Sequence, residues 1–309
     1  MHSNAISSPI DTWPEHFIDE DHLEEYMTTP SASLTAALRD LKGDLMVLGV
    51  GGKMGPTLAR LARRAAPDKQ IFGVARFSEA GLREKLEACG VECIVADLLE
   101  QDAIARLPKP PNVIFMAGRK FGTSGREDLT WAMNVLVPSL VAEAFKGSRI
   151  VAFSTGNVYP FVRILQGGAI ETTVPEPRGS YATSCVGRER MFEYFSRQHG
   201  TSGRLIRLNY AIDMRYGVLH DIAQKVLAGN DIDVTAGHAN VIWHRRGLWQ
   251  ALGQAAAHCW HRSGNGLAGR FVGSAPAVRL SRRSARAHDR LGGGLGQPRH
   301  AQSRQRNAL

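Results

Sequence analysis

The sequence lacks the long apolar segments and the cysteine patterns that mark membrane and disulfide-rich proteins. No apolar run in its 309 residues approaches the roughly 20 residues that span a bilayer. No basic stretch followed by an apolar core marks a secretory signal. The four cysteines show no disulfide framework and no paired C-x-x-C metal spacing, although Cys89 and Cys93 could pair. Reduced thiols in a cytoplasmic protein without a bound metal are the favoured interpretation.

A second deficit is confined to the C-terminal part of the chain. Residues 244–309 contain no Ile, Lys, Glu, Met, Thr or Tyr, and Leu, Val and Phe fill only 10 of the 66 positions. That share is below the level expected of a packed core. Two interpretations are open: a disordered basic tail that touches nucleic acid or acidic lipid, or a GC-rich gene read out of frame from near Trp243. The abrupt change favours the second, and the coding DNA read in all three frames distinguishes them.

The positive net charge has the same origin. The whole chain has 38 basic and 29 acidic residues, but residues 244–309 hold 12 Arg and one Asp, a net charge of +11. Residues 1–243 are left with 26 basic and 28 acidic residues, a net charge of −2. A nucleic-acid partner therefore depends on the tail alone and is not favoured.

The most informative segment begins at Leu45, where an apolar strand pattern breaks into glycines and becomes helical from Pro56. Glycines at such a junction permit a tight turn and let the backbone approach a pyrophosphate, which then lies at the positive end of the helix dipole. The G-x-x-G-x-x-G spacing is typical of dinucleotide binding. The residues assigned to the nucleotide in this turn are Gly49, Gly52, Lys53, Met54 and Gly55.

From Asp44 the chain alternates strands and helices, which predicts an α/β fold with a Rossmann-type doubly wound parallel sheet. Strands are predicted at 45–48, 71–75, 91–95, 113–116, 150–154 and 205–208. Helices are predicted at 20–27, 32–41, 55–65, 79–88, 101–106, 128–145, 181–197 and 217–227. The domain assignment is a helical leader (1–43), an NAD(P)-binding domain (44–212), the start of a small, incomplete substrate region (213–243) and the anomalous tail (244–309).

The ends of the next three strands carry further candidate contacts with a nucleotide. Arg76 lies at the end of the second strand, where an acidic residue would bind the ribose hydroxyls of NAD; an arginine there can receive the 2′-phosphate of NADP. NADP is therefore the preferred cofactor, and a solvated Arg76 is the alternative. Asp97 and Leu98 are placed to contact the adenine. Ala117 and Gly118 keep small side chains where a dinucleotide would pass.

Two later segments carry a family resemblance. The fifth strand ends in Phe153-Ser-Thr-Gly-Asn-Val-Tyr159, and Tyr181-Ala-Thr-Ser-Cys185 opens the helix beyond a long loop. This order resembles the extended short-chain dehydrogenase/reductase family, the NAD(P)-dependent sugar epimerases and dehydratases, over about residues 44–243. The resemblance implies that Thr155 holds the substrate oxygen. It implies that Tyr181 is the general acid/base and contacts the cofactor. The substrate would be a sugar or sugar nucleotide, and the reaction would take place at one of its hydroxyl or carbonyl carbons.

The same resemblance assigns supporting residues and exposes one departure. Asn134 matches a structural asparagine of the family, and Arg207-Leu-Asn209 resembles the R-x-x-N segment after the sixth strand. Four residues after the catalytic tyrosine the family has a lysine, which anchors the nicotinamide ribose and lowers the tyrosine pKa; here the residue is Cys185. Arg188 lies on the same helix face and could lend charge. The alternative function is therefore a catalytically weak NAD(P)-binding or redox-sensing protein, with Tyr181 a packed aromatic residue.

Partner predictions follow from the same comparison of residues. In this family the helix equivalent to residues 188–195 packs in a dimer interface, so a homodimer is possible, with ordinary core packing as the alternative. His199, His220 and His238 have no metal-like partners at helical or loop spacing, and no metal site is predicted.

Overall fold

The computed structural model describes residues 14–120, 125–162, 168–209, 211–212, 214–232, 243–244 and 270–271. The strands in these ranges are β1 (Leu45–Leu48), β2 (Ile71–Ala75), β3 (Glu92–Val95), β4 (Asn112–Phe115), β5 (Arg149–Thr155), β6 (Gly203–Leu208), β7 (Ala211–Ile212), β8 (Trp243–His244) and β9 (Arg270–Phe271). The helices are α1 (Glu20–Thr28), α2 (Ala32–Asp40), α3 (Gly55–Ala65), α4 (Leu82–Ala88), α5 (Gln101–Arg106), α6 (Glu127–Trp131), α7 (Val137–Ala144), α8 (Gly179–His199) and α9 (Val218–Leu227).

Parallel pairing builds one main sheet in the order β3-β2-β1-β4-β5-β6-β9. The strand order reverses between β1 and β4, which pair from Leu45 with Asn112 to Leu48 with Phe115. In an open parallel sheet, ligands bind outside the carboxyl ends of the strands at such a reversal. The Rossmann-type fold predicted from the alternating pattern is thus confirmed, and the glycine-rich turn after β1 lies at this point.

The sheet is covered on both faces, which explains why its central strand is apolar at every position. Leu45 and Val47 of β1 point into a core shared with α2, α3 and α4. Met46 and Leu48 point the opposite way into a second core, to which α5, α7 and α8 contribute. A parallel strand buried on both faces carries a continuous run of hydrophobic residues instead of alternating polar ones.

The helical region after β4 differs from the prediction, which gave a single helix over residues 128–145. The structure shows α6, then a π-helical segment at Ala132–Leu136, then α7. Pro138 lies in the first turn of α7 and has no backbone N–H, so the regular i to i−4 bonding is interrupted there. The N–H of Val137 instead donates to the carbonyl of Ala132, five residues earlier. Single π turns within helices are frequent at functional sites, and this one contains Asn134.

The start of α4 also differs from the prediction: the helix begins at Leu82, three residues later than predicted. Gly81 before it has a φ angle of +77°, a left-handed conformation that ends the preceding turn and cannot continue as a helix.

A buried ion pair joins α8 to the sheet. Glu189 and Arg207 have side chains with no solvent exposure. Arg207 on β6 donates from Nε and Nη2 to the two Glu189 oxygens at 2.8 and 2.6 Å. Ser154 Oγ of β5 donates to Glu189 Oε1 at 2.6 Å. Burial alone would lower the pKa of Arg207, but the hydrogen bonds to Glu189 raise it above its ordinary value, so the guanidinium stays charged.

The N-terminal helices pack on α3, the helix that follows the glycine turn. Glu24 of α1 accepts from Thr57 Oγ1 at 2.9 Å and from Arg215 Nη1 at 2.7 Å. Glu25 forms ion pairs with Arg60 and Arg64 of α3, each at 2.6 Å. Glu24 thus connects the leader, α3 and the segment after β7 with one carboxylate.

Most of the predicted C-terminal tail lies outside the described residues. The exceptions are His244 of β8 and both residues of β9, Arg270 and Phe271, which pair in parallel with Leu205 and Ile206 of β6. In the predicted substrate region, residues 214–232 and Trp243 are described, and about half of residues 214–232 form the largely exposed helix α9.

Candidate nucleotide-binding and catalytic site

The glycines of the turn after β1 differ in the space that an added Cβ would find. Gly49 has a φ angle of +90°, and a Cβ there would lie 2.6 Å from the backbone nitrogen of Ala117. A Cβ on Gly55 would overlap the carbonyl of Val50, so the fold itself requires both glycines. A Cβ on Gly52 would meet nothing closer than the Gly49 oxygen at 3.6 Å. Gly52 therefore leaves open space over the turn, where a pyrophosphate would lie at the start of α3.

Two other residues assigned to this turn have partners within the protein. Lys53 Nζ lies 5.1 Å from the centroid of the Tyr216 ring. The Tyr216 hydroxyl donates to the Lys53 carbonyl at 3.1 Å. The half-buried Met54 packs against the core beneath the turn and precedes the first residue of α3. The segment after β7 therefore contacts the turn directly, which the sequence alone did not indicate.

Arg76 is available at the end of β2. Its guanidinium Nη1 lies 3.8 Å from Asp97 Oδ2, and its side chain is 69% exposed. Asp97 Oδ1 accepts from the backbone N–H of Leu99 at 2.9 Å, which fixes the carboxylate at the end of β3. The neighbouring Phe77 has a φ angle of +49°, an uncommon conformation for an aromatic residue that sequence reasoning missed.

The position of the Leu98 side chain differs from the prediction that it contacts the adenine. Its side chain is buried in the core shared with α5 and α7, so a contact with a nucleotide would come from its backbone. Ala117 is also buried, against Gly49.

Asn134 in the π-helical segment connects the end of β4 to α8 with all of its amide hydrogen-bonding groups. Its Oδ1 accepts from the Arg119 N–H at 2.9 Å and from Arg188 Nη2 at 2.6 Å. Its Nδ2 donates to the Arg119 carbonyl at 3.0 Å and to Ser184 Oγ at 2.9 Å. The backbone after β4 is thereby held on both its N–H and its C=O.

Arg188 is buried within this network. Its Nη1 donates to the Phe153 carbonyl of β5 at 2.8 Å, in addition to the bond with Asn134. A Cβ on Gly118 would overlap Arg188 Nη2. The small residue at 118 is thus required by the guanidinium behind it, whether or not a dinucleotide passes in front.

Tyr181, Thr155 and Cys185 lie together. The side chains of Cys185 and Thr155 lie close enough to the Tyr181 phenol to act on its pKa. Burial raises the pKa of Tyr181 to about 12; Cys185 adds to the rise, while Arg188 and Thr155 oppose it. Burial likewise raises the pKa of the Cys185 thiol, whose side chain is fully buried. The structure therefore brings together the two residues assigned to catalysis but gives Tyr181 a neutral neighbour one turn along the helix.

One charged residue at this site was missed by sequence reasoning. Lys120, two residues beyond Gly118, places its Nζ 6.0 Å from the centroid of the Tyr181 ring. No local pattern could identify it, because a loop lysine becomes a neighbour of the tyrosine only when β4 and α8 pack.

Within the described residues, no group of three or more His, Cys, Asp or Glu side chains could hold a metal ion. Cys89, Cys93 and Cys185 are free thiols there. Among the helices that the structure describes, none has the length and apolar character needed to cross a membrane.

Residues 45–231 match the model of the NAD dependent epimerase/dehydratase family. The chain belongs to this family. The matched range contains the glycine turn, Asn134, Thr155 and Tyr181, so the resemblance inferred from the sequence motifs is confirmed. No match was found among curated protein sequences.

Solved structures of family enzymes show the same fold. The dTDP-glucose 4,6-dehydratase DesIV from Streptomyces venezuelae, with NAD bound, aligns with a TM-score of 0.62 at 18% identity over 74% of each chain. WbmH from Bordetella bronchiseptica in complex with NAD+ gives 0.60 at 21% identity over 74% of each chain. UDP-glucuronic acid 4-epimerase from Bacillus cereus, with UDP-glucuronic acid and NAD, gives 0.61 at 16% identity over 74% of this chain and 76% of that one.

The different demands on the glycines give a first test. We predict that Gly52→Ala lowers the affinity for NAD(P)H on the order of tenfold and changes the free energy of unfolding by less than about 1 kcal/mol. The reason is that the added methyl meets no protein atom closer than 3.6 Å but occupies the space over the turn. Nucleotide titration and urea denaturation measure the two effects.

Gly147→Ala is the matched control, since a Cβ there meets nothing within 4 Å and the residue lies far along the chain from the turn. Equal nucleotide affinity in the two variants would contradict the assignment of Gly52.

Proposed function

We propose that this protein is an NAD(P)-dependent oxidoreductase of the epimerase/dehydratase type that acts on a hydroxyl or carbonyl carbon of a sugar nucleotide. The observation that carries the proposal is the pairing of Tyr181 with Thr155 at the carboxyl end of β5. The glycine turn lies at the same edge of the sheet, two strands away. The sugar-nucleotide substrate is supported by neighbours that bind such molecules, including the epimerase with UDP-glucuronic acid.

The cofactor, when bound, would supply or accept the hydride. Side chains of the protein transfer the proton. In the oxidation direction the C–H electron pair leaves the substrate carbon as hydride, and the hydroxyl proton passes to Tyr181 Oη. In the reduction direction the Tyr181 phenol gives its proton to the carbonyl oxygen. Thr155 Oγ1 holds that oxygen beside the phenol. The residues that would hold the cofactor are those of the glycine turn, with Gly52, and Arg76 and Asp97 just after β2 and β3.

The raised pKa of Tyr181 gives the two directions different pH dependence. A pKa of about 12 keeps the phenol protonated at neutral pH, the form that donates to a carbonyl oxygen. Oxidation needs the phenolate, whose fraction increases as the pH approaches the pKa. The rate of oxidation therefore increases with pH through the neutral range, while reduction does not depend on this increase.

The catalytically weak alternative rests on Cys185. The family lysine is absent at this position, and a buried thiol with a raised pKa is a poor nucleophile and a poor redox sensor. Redox sensing through Cys185 is therefore disfavoured, and a binding protein without turnover is the remaining rival.

Turnover distinguishes the two functions. We predict that Tyr181→Phe lowers turnover of UDP- or dTDP-sugars about 10²- to 10⁴-fold, the usual contribution of a general acid/base. Nucleotide affinity should change by less than about twofold, because the phenol moves a proton and the ring remains. Product chromatography and nucleotide titration measure these effects.

Tyr194→Phe is the matched control, an exposed tyrosine on the same helix. Activity retained in Tyr181→Phe would exclude Tyr181 as the acid/base. No turnover in the wild type with either cofactor would favour the binding protein.

We also propose that NADP is preferred over NAD. The support is the exposed Arg76 guanidinium at the end of β2, which is 3.8 Å from its carboxylate neighbour and thus free of a tight ion pair with it. We predict that NADPH binds about tenfold more tightly than NADH and that Arg76→Ala removes the difference. Arg39→Ala, another exposed arginine, is the control. Equal affinities in the wild type, or a preference that survives Arg76→Ala, would refute the proposal.

A homodimer through the α6 to α8 surface is the last part of the proposal. Three apolar side chains are exposed on these packed segments: Trp131, Leu136 and Tyr194. Gly187 of α8 lies so close to Val135 that an added Cβ would be 2.7 Å from its Cγ2. We expect sedimentation to show a dimer that Leu136→Asp dissociates; a monomeric wild type would exclude it.

A further inference from the structure

A positive charge close to Tyr181 would stabilise its phenolate, but α8 has no lysine at position 185. Cys185, one turn after Tyr181, is buried and neutral, and burial has the largest effect on the Tyr181 pKa. The charged and titratable groups around this pair come from two elements. Cys185, Arg188 and Glu189 belong to α8, and Lys120 belongs to the loop after β4.

Arg188 is held by other bonds. One terminal nitrogen donates to the Phe153 carbonyl, and the other donates to Asn134. The guanidinium lies behind Gly118 and against the Phe115 ring, 5.8 Å from its centroid. Its charge reaches Tyr181, but its position is fixed by the join between β5, α8 and the π-helical segment.

Lys120 approaches Tyr181 from the loop after β4. Its Nζ is 6.0 Å from the centroid of the Tyr181 ring, within the range of a cation–π contact. The backbone immediately before it is fixed, because Asn134 binds both the N–H and the carbonyl of Arg119. The side chain is exposed, and its Nζ lies over the ring. Its charge also acts on Cys185, which places it beside both residues.

We propose that Lys120 supplies, from the loop after β4, the positive charge that stabilises the Tyr181 phenolate in place of a lysine at position 185. Lys120 is a positioning residue that acts through Tyr181. The proposal rests on the proposed function, since a phenolate matters only if Tyr181 transfers a proton. The positive charge beside Tyr181 then comes from the loop after β4 and not from α8, the helix that carries the tyrosine.

A direct test compares Lys120→Arg with Lys120→Met. An ordinary lysine loses its proton near pH 10.4, in the range where the tyrosine titrates, whereas an arginine stays charged above pH 12. Tyrosine labelled at ring carbon ζ reports ionisation by NMR, and Tyr181→Phe identifies the resonance. We expect the Tyr181 pKa to be about 0.5 to 2 lower in Lys120→Arg than in Lys120→Met, as expected for a unit charge about 6 Å away in a partly exposed site. Equal values would overturn the proposal.

The rate of sugar-nucleotide oxidation provides the second readout. We expect Lys120→Met to be about 3- to 100-fold slower than Lys120→Arg at neutral pH, the fold-change that matches the pKa difference. The pH–rate profile of Lys120→Met should shift to higher pH by the same amount. Lys85→Met, an exposed lysine on α4, is the control and should behave as the wild type. Equal rates and equal profiles in the two Lys120 variants would also overturn the proposal.

The two readouts separate this proposal from the proposed function. A pKa difference without turnover in the wild type would support the charge interaction and refute the enzymatic function. Turnover that depends on Tyr181, with no dependence on the charge at position 120, would support the enzyme and refute the role of Lys120.

Discussion

The candidate site depends on one buried amide. Asn134 binds the backbone after β4 through two hydrogen bonds and the helix α8 through two more. Each group of the side chain is satisfied, so leaving any partner without its bond would cost about 1–3 kcal/mol for a buried polar group. The amide can reach both sides because the helix that carries it opens into a π turn before Pro138. The π turn that precedes Pro138 thus lies next to the hydrogen bonds that join α8 to the end of β4.

The glycines near the site differ in whether the protein leaves room for a side chain. Gly49, Gly55 and Gly118 are required by the protein itself, because a Cβ would meet a backbone atom or the Arg188 guanidinium. Gly52 alone among these four has room for a methyl group, so the fold itself does not require a glycine there. Glycines that look identical in the sequence therefore differ in the atoms that an added Cβ would meet.

The fold could be predicted from the sequence because its information is local. Apolar strands such as β1 end in glycines, and amphipathic helices follow, so the order of elements and the parallel sheet follow from periodicity. The spacing of Thr155 and Tyr181 also has a local signature at a strand end and a helix start. Lys120 has none, since its approach to Tyr181 depends on how a loop and a helix pack. The same holds for Arg215, which reaches Glu24 across 191 residues of sequence. The π turn was missed because the prediction of one helix over residues 128–145 did not account for the backbone N–H that Pro138 lacks.

The buried pair of Glu189 and Arg207 has a consequence for the history of this chain. Removing one partner of such a pair costs about 3–5 kcal/mol, because the other charge stays buried without compensation. Folded domains are stable by only about 5–15 kcal/mol, so a single substitution in this pair would remove a large fraction of that stability. Replacing both residues by apolar ones of similar size can be neutral. Each single step away from the pair is therefore costly, although the double replacement need not be, and this cost protects the pair whatever it contributes to function.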